Sequence, residues 1–232
     1  MRNVAFEHSV FKAIKNKDGY ADKLVQPAFL QLELLAQSGK AQYAFALLQN
    51  NSNPAQRNSE IRLNQNDAFV ALKTGFFLKS EDPAKPGQGL LTSYGSPAIF
   101  PSVASYVSNT DVDALFNSFL SVKVGDTVFA QNIDLRQCRN VRTSQKVTAA
   151  ANQNGIAFDE QLGWDGFTDN EPIVTFDGGK KNDVIVTVPT YPGQLVQVNN
   201  GGTAGVASIY LVLKFWGFLV TNGSGIGQIN NQ

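Results

Sequence analysis

Short apolar runs separated by clusters of turn-forming residues constrain the fold of this 232-residue chain more than any other feature. In the last third, Gly, Asn, Asp and Pro divide the runs at residues 173–176, 183–188, 195–198 and 206–220. Runs of this length with such boundaries are typical of β-strands. The run 206–220 contains Lys214 and Gly217, and it is too short and too interrupted to span a membrane. It predicts a central buried strand.

The first fifty residues carry two weaker patterns. Apolar residues recur from Val4 to Ile14 with a loose helical spacing, which predicts a helix. Between residues 27 and 50, two apolar runs flank a turn at 37–40. The turn residues favour a β-hairpin, whereas the Leu and Ala content favours a pair of short helices. We favour the hairpin.

The middle of the chain predicts further strands and one helix. Residues 68–78 read as a long strand broken near Gly75. Residues 111–119 read as a helix, because Thr110 or Asp111 can cap it and its apolar residues share one face. Residues 120–124 and 127–133 predict a hairpin around Gly125-Asp126, where glycine allows a type II′ turn.

These segments together predict a mainly β chain, a single antiparallel β-sandwich with a few short helices and extended terminal arms. We expect an N-terminal arm at residues 1–26, the sandwich at 27–221 and a flexible Gly/Asn/Gln tail at 222–232.

Charge is scarce. The chain has 19 basic and 19 acidic residues, which cancel and make up 16% of it, whereas Asn and Gln number 21 and 17. Amides form hydrogen bonds without the desolvation cost of a full charge, so they suit surfaces that become buried against neighbours. A compositional bias of the source genome explains the high Asn and Gln content equally well. Because phosphate binding relies on Lys and Arg, a net charge of zero argues against strong nucleic-acid binding.

The nucleophiles and metal ligands of common enzymes are nearly missing from the sequence. The chain has one histidine, His8, and one cysteine, Cys138. Two such residues are too few for a zinc site of the usual kind, and Cys138 has no partner for an internal disulfide. With no signal peptide at the N-terminus, this pattern favours folding in a reducing cytoplasm. We therefore expect no catalytic residues, cofactor or metal, and a protein that is not an enzyme.

The most suggestive polar group lies in the acidic segment 159–171. Carboxylates beside aromatic rings suit a sugar or a calcium ion, which makes Trp164, Asp165, Asp169 and Glu171 candidate ligand-binding residues. A glycosidase would use two carboxylates of this segment, held about 5–9.5 Å apart across a groove. Its candidates are Asp159, Glu160, Asp165, Asp169 and Glu171. The segment lacks the spacing of an EF-hand loop, and we favour a solvated loop anchored by its aromatic rings.

Five segments carry a resemblance to a known family. They are IRLNQNDAF at 61–69, GFFL at 75–78, LLTSYGSPAIF at 90–100, ALFNSFL at 114–120 and RTSQ at 142–145. In their general residue pattern and in their order along the chain, these segments resemble bacteriophage virion structural proteins of the jelly-roll capsid type. The similarity covers residues 60–145 and the closing strand to Val220. A double jelly roll generally needs a longer chain, so the resemblance implies a single jelly roll.

The resemblance implies a capsid or capsid-associated subunit that assembles with copies of itself and with other virion proteins. Such a subunit is expected in the virion, assembled in the host cytoplasm, as a homo-oligomer without a transmembrane segment. Capsid proteins have no catalytic residues, so none are carried over. Two alternatives stay open. The first is a carbohydrate-binding or receptor-binding β-sandwich that uses Trp164, and the second is a carboxylate-dependent glycoside hydrolase.

Overall fold

The computed structural model describes residues 4–37, 39–49, 57–81, 89–93, 115–139, 166–189, 198–199, 206–227 and 229. Helix α1 is Val4–Lys15, and a 3-10 helix occupies Leu135–Cys138. The first strands are β1 Val25–Leu35, β2 Gln42–Phe45, β3 Ala68–Glu81, β4 Leu90–Thr92 and β5 Phe119–Val124. They are followed by β6 Thr127–Asp134, β7 Phe167–Asp177, β8 Asn182–Thr187, β9 Val198–Asn199 and β10 Val206–Val220. The prediction of a mainly β chain is confirmed.

The strands form two antiparallel sheets. One has the order β1-β10-β3, and along the far edge of β3 the strand β7 pairs with its first part and the short β4 with its last part. The short β9 pairs with the start of β10. The other has the order β2-β8-β5-β6. We call them the large sheet and the small sheet. A common apolar core lies between them, so the fold is the predicted β-sandwich.

The strand order is that of a jelly roll. Without the short β4 and β9, the first strand pairs with the last (β1 with β10) and the second with the seventh (β2 with β8). The third pairs with the sixth (β3 with β7) and the fourth with the fifth (β5 with β6). This nested ribbon is rolled up by the pairings β10–β3 and β8–β5. Nested pairing followed by rolling is the topology of a jelly roll.

Alternation along β10 explains how this strand sits in the middle of the large sheet. Ile209, Leu211, Leu213 and Phe215 belong to the core between the sheets, as the prediction of a buried central strand requires. The register shift between Trp216 and Gly217 arises from an extra residue in β3, Leu72, and β10 keeps its alternation beyond it: Leu219 packs against the common core, whereas Phe218 and Val220 belong to the outer face. A Cβ on Gly217 would stand 1.8 Å from the carbonyl oxygen of Val70, so only glycine allows β3 to approach here.

A second apolar cluster lies on the outer face of the large sheet. Val10 and Ile14 of α1 are fully buried in it, and Phe11 packs edge-on against Phe218 at 5.8 Å. The predicted N-terminal helix is therefore confirmed. Within the predicted arm at 1–26, it packs along the sheet rather than extending away from it.

Part of the predicted C-terminal tail, residues 222–232, also packs onto this face. Ile226 and Ile229 are 3% and 4% exposed. The loop after α1 holds the segment, because Lys17 Nζ donates to the carbonyl oxygen of Ile226. The Tyr20 hydroxyl also donates to the carbonyl oxygen of Gly223, at 3.3 Å. In its described part, the tail is thus ordered by contacts within the chain.

The hairpin expected between residues 27 and 50 is wrong, although both segments are strands. β1 pairs with β10 in the large sheet, whereas β2 pairs with β8 in the small sheet. The chain crosses from one sheet to the other between Leu35 and Gln42. The crossing places Leu32 and Tyr43 in the common core, and this burial outweighs the local tendency to pair as a hairpin.

Three other segment predictions have mixed outcomes. The hairpin around Gly125-Asp126 is confirmed, with Val124 opposite Thr127 and Gly125 at a φ of 57°. The strand from residue 68 does not break near Gly75; it runs to Glu81, and its irregularity lies between Ala71 and Lys73. In the predicted helix 111–119, residues 111–114 lie outside the described residues, residues 115–116 are helical, and 119 already belongs to β5.

Candidate functional site

The predicted ligand-binding residues are only partly described. Trp164 and Asp165, like Asp159 and Glu160, lie outside the described residues. Asp169 and Glu171 lie two residues apart on β7, and both are exposed. The Asp169 carboxylate pairs with Lys73 of the neighbouring strand β3. The ligand site therefore stays a prediction, with one of its carboxylates already engaged by a lysine.

Aromatic rings next to this pair cover the middle of the outer face of the large sheet. Phe167 packs against Phe77 with 5.4 Å between ring centres and against Phe29 with 6.3 Å. Lys214 lies with its ammonium group 5.3 Å from the centre of the Phe29 ring. Burial lowers the pKa of Lys214, and attraction to Glu33 partly opposes this shift. The aromatic anchoring of the segment is thus seen at Phe167, but residues 167–171 belong to β7 and are not part of a loop, whereas residues 159–165 lie outside the described residues.

Beyond these rings, the outer face holds a group of charged residues, three of them buried and one, Arg57, partly exposed. We call this group the charge cluster: Glu33, Arg57, Lys79 and Glu81. Leu32 and Leu78 point into the core, so alternation places their neighbours Glu33 and Lys79 on the outer face. The side chains of Glu33, Lys79 and Glu81 are at most 2% exposed. Such burial is rare for charged groups unless they are paired.

Each carboxylate of the charge cluster contacts both cations. Lys79 Nζ lies 2.8 Å from Glu33 Oε2 and 2.7 Å from Glu81 Oε2. Arg57 Nε lies 3.0 Å from Glu33 Oε2, and its Nη2 pairs with Glu81. The Arg57 guanidinium also lies 3.9 Å from the centre of the Tyr210 ring, a cation–π contact. The two negative and two positive charges cancel within the cluster.

The protonation of Glu33 follows from these contacts. Burial alone would raise its pKa, but hydrogen bonds from Lys79, Gln31 and Ser59 outweigh burial and hold the pKa below its usual value. Glu33 is therefore ionised at neutral pH and is a poor general acid. The geometry makes the cluster an anchor. It ties the segment around Arg57 to β1 and β3.

A neighbouring carboxylate strengthens this anchor. Glu60 accepts hydrogen bonds from the backbone N–H groups of Glu33 (3.0 Å) and Arg57 (2.9 Å), and from Arg62 Nη2. Neither the charge cluster nor Glu60 appears among the sequence-based candidates. The sequence signal that indicates the charge cluster is a charged residue inside an apolar run, as in QLELL at 31–35 and FFLKSE at 76–81.

A polar pocket lies at the opposite end of the large sheet, where β3 begins and β10 ends. We call it the amide pocket; the described residues that line it are Gln49, Asn64, Gln65, Asn66, Asp67, Thr221 and Asn222. Its volume is about 650 Å³. This lies within the range of small-molecule sites, about 300–1,000 Å³.

Cys138 is poorly placed to act as a nucleophile. It is buried, its Sγ lies 3.6 Å from the carbonyl oxygen of Thr74, and burial raises the pKa of its thiol to about 12. A thiol with such a pKa is a poor nucleophile at neutral pH. Among the described residues, no three His, Cys, Asp or Glu side chains are grouped to hold a metal ion. Nor does any helix in the described ranges have the length and apolarity needed to cross a membrane.

Comparisons of the chain with protein-family models, with curated proteins and with solved structures found no match.

Proposed function

We propose that this chain is a virion structural protein, a capsid or capsid-associated subunit that acts by assembling with copies of itself. The observation that carries the proposal is the nested strand order of a single jelly roll. Jelly rolls of this kind occur in viral capsid proteins, lectins and cupins. Because a fold does not fix a function, the interior and the surface must decide among these classes.

The interior of the sandwich supports a structural role. The core between the sheets is filled by apolar side chains such as Phe69, Phe76, Phe116 and Phe215. Phe76 and Phe116 meet edge-on at 5.5 Å, and Phe176 and Phe215 at 5.0 Å. An interior that is packed in this way stiffens the subunit. This favours a building block over a jelly roll that holds a ligand inside its barrel.

The surface supports the same role. The charges of the charge cluster cancel, so the cluster does not add a positive field that would attract nucleic acid. The amide-rich composition supplies side chains that tolerate burial against another subunit. Both features suit a subunit whose partners are proteins.

The test is the size and shape of the purified protein. We expect light scattering to give a mass many times that of the 25.1 kDa chain, and negative-stain microscopy to show particles of one size. Buffers with and without salt and divalent ions cover the usual requirements for assembly. A monomer at high concentration in every buffer would refute the proposal.

A matched control separates assembly from aggregation. Leu211→Asp places a carboxylate in the common core, so this variant should form no regular particles. If the variant and the unaltered protein gave the same irregular material, the large mass would reflect aggregation, and the proposal would fail.

A further inference from the structure

The amide pocket has a rigid frame. The backbone N–H of Ser224 donates to the carbonyl oxygen of Asn66 at 3.1 Å, and that of Gly178 donates to the carbonyl oxygen of Asp67 at 2.9 Å. Asn222 has a φ of 52°, in the left-handed region that asparagine tolerates better than most residues. These hydrogen bonds join the start of β3 to the segments after β7 and β10, so contacts within the chain hold the walls of the pocket together.

The one carboxylate in the described lining already accepts hydrogen bonds from its neighbours. Asp67 is 6% exposed, and its Oδ1 accepts a hydrogen bond from the backbone N–H of Asn222 at 2.9 Å. Its Oδ2 accepts another from Asn64 Nδ2 at 3.1 Å. Asp67 therefore holds the walls of the pocket together and is not its binding group.

The groups left for a ligand are neutral. Within the described residues, no hydrogen bond uses the side-chain amides of Gln49, Gln65 and Asn66 or the hydroxyl of Thr221. Each amide offers two N–H donors and one carbonyl acceptor, and the hydroxyl offers one donor and accepts as well. The described lining includes no Lys, Arg, His or aromatic residue. The described lining therefore suits a neutral ligand that presents both hydrogen-bond donors and acceptors.

We propose that the amide pocket binds a neutral saccharide through the side chains of Gln49, Gln65, Asn66 and Thr221. Sugar hydroxyls both donate and accept, which matches the amides. A phosphate or other anion would meet no cation in the described lining, and one occupied carboxylate is a poor site for a metal ion. A peptide partner usually needs an aromatic or apolar anchor in a buried pocket, which this lining does not provide. This inference does not depend on assembly.

Saturation-transfer-difference NMR tests the inference, because it works for a free subunit and for a large particle alike. The probes are glucose, galactose, mannose, N-acetylglucosamine and lactose, with N-acetylneuraminic acid as an anionic comparison. We expect signals from at least one neutral sugar, and weaker signals from the anionic one. Absence of binding for every neutral sugar would overturn the inference, even if the protein assembles.

A variant pair locates the site. Gln65→Ala combined with Thr221→Val removes two hydrogen-bonding groups, while valine keeps the branched shape of threonine. We expect the affinity for the bound sugar to fall about tenfold. The control combines Gln131→Ala with Gln137→Ala, two exposed amides on β6 of the small sheet and on the 3-10 helix. An equal loss in both variants, or a loss in neither, would place the sugar elsewhere and overturn the assignment.

Discussion

Replacing Lys79 by methionine should be among the most damaging single changes on the outer face of the large sheet. The Lys79 ammonium lies within 3.1 Å of both Glu33 oxygens and of Ser59 Oγ, and 2.7 Å from Glu81 Oε2. Methionine fills similar space without charge. The charge cluster would then hold two carboxylates and only one cation, Arg57. Both carboxylate side chains, Glu33 and Glu81, are at most 2% exposed.

The size of the effect follows from this imbalance. Removing one partner of a buried ion pair typically costs about 3–5 kcal/mol, because the remaining charge is left uncompensated. The total stability of a domain is about 5–15 kcal/mol, so Lys79→Met should remove a large part of it. The exposed pair Lys181–Asp183 supplies a matched control, since Lys181 is 81% exposed. Lys181→Met should change stability by less than about 1 kcal/mol.

Urea unfolding followed by circular dichroism measures both variants, and a third variant tests the mechanism. Glu33→Gln combined with Lys79→Met removes one negative charge along with the positive one. This double variant should be more stable than Lys79→Met alone, a coupling that a double-mutant cycle detects. Equal costs for Lys79→Met and Lys181→Met, or strictly additive effects of the two cluster substitutions, would refute the anchoring role of the charge cluster.

Three further predictions concern acid, the core and the cysteine. Because the folded-state pKa of Glu33 is depressed, its contribution to stability is present above the unfolded pKa of about 4.3 and is lost as pH falls through the folded value. Thermal melts should therefore decline below about pH 4.5, and less steeply in Glu33→Gln; identical slopes would contradict this. Leu211→Asp should cost several kcal/mol in urea unfolding. Cys138 should react with a thiol reagent only when the protein unfolds, and fast labelling of the native protein would show that its thiol is accessible.

The parts of the fold that were predictable are those where one short stretch of sequence decides the outcome. Alternation in β10 identifies Leu211 and Leu213 as inward residues because burial of one face imposes a period of two. Gly125 marks its hairpin because a two-residue turn needs a positive φ at that position. The sandwich class can be predicted from many such local signals, whereas the order in which the strands pair cannot be predicted from them.

The rest depends on contacts between residues far apart in the chain. Glu33 meets Arg57 and Lys79, which are 24 and 46 positions away, and Tyr20 reaches Ser224 across 204 positions. A glutamate in an apolar strand reads as an exposed residue until the pairing of β1 with β10 and of β10 with β3 brings the lysine to it. The same pairings bring β3 and β10 together at the amide pocket, whose residues read as ordinary turn chemistry in sequence. Both sites are therefore products of the jelly-roll topology, and they also depend on residues outside the strands, such as Arg57 and Gln49, which strand pairing alone does not place.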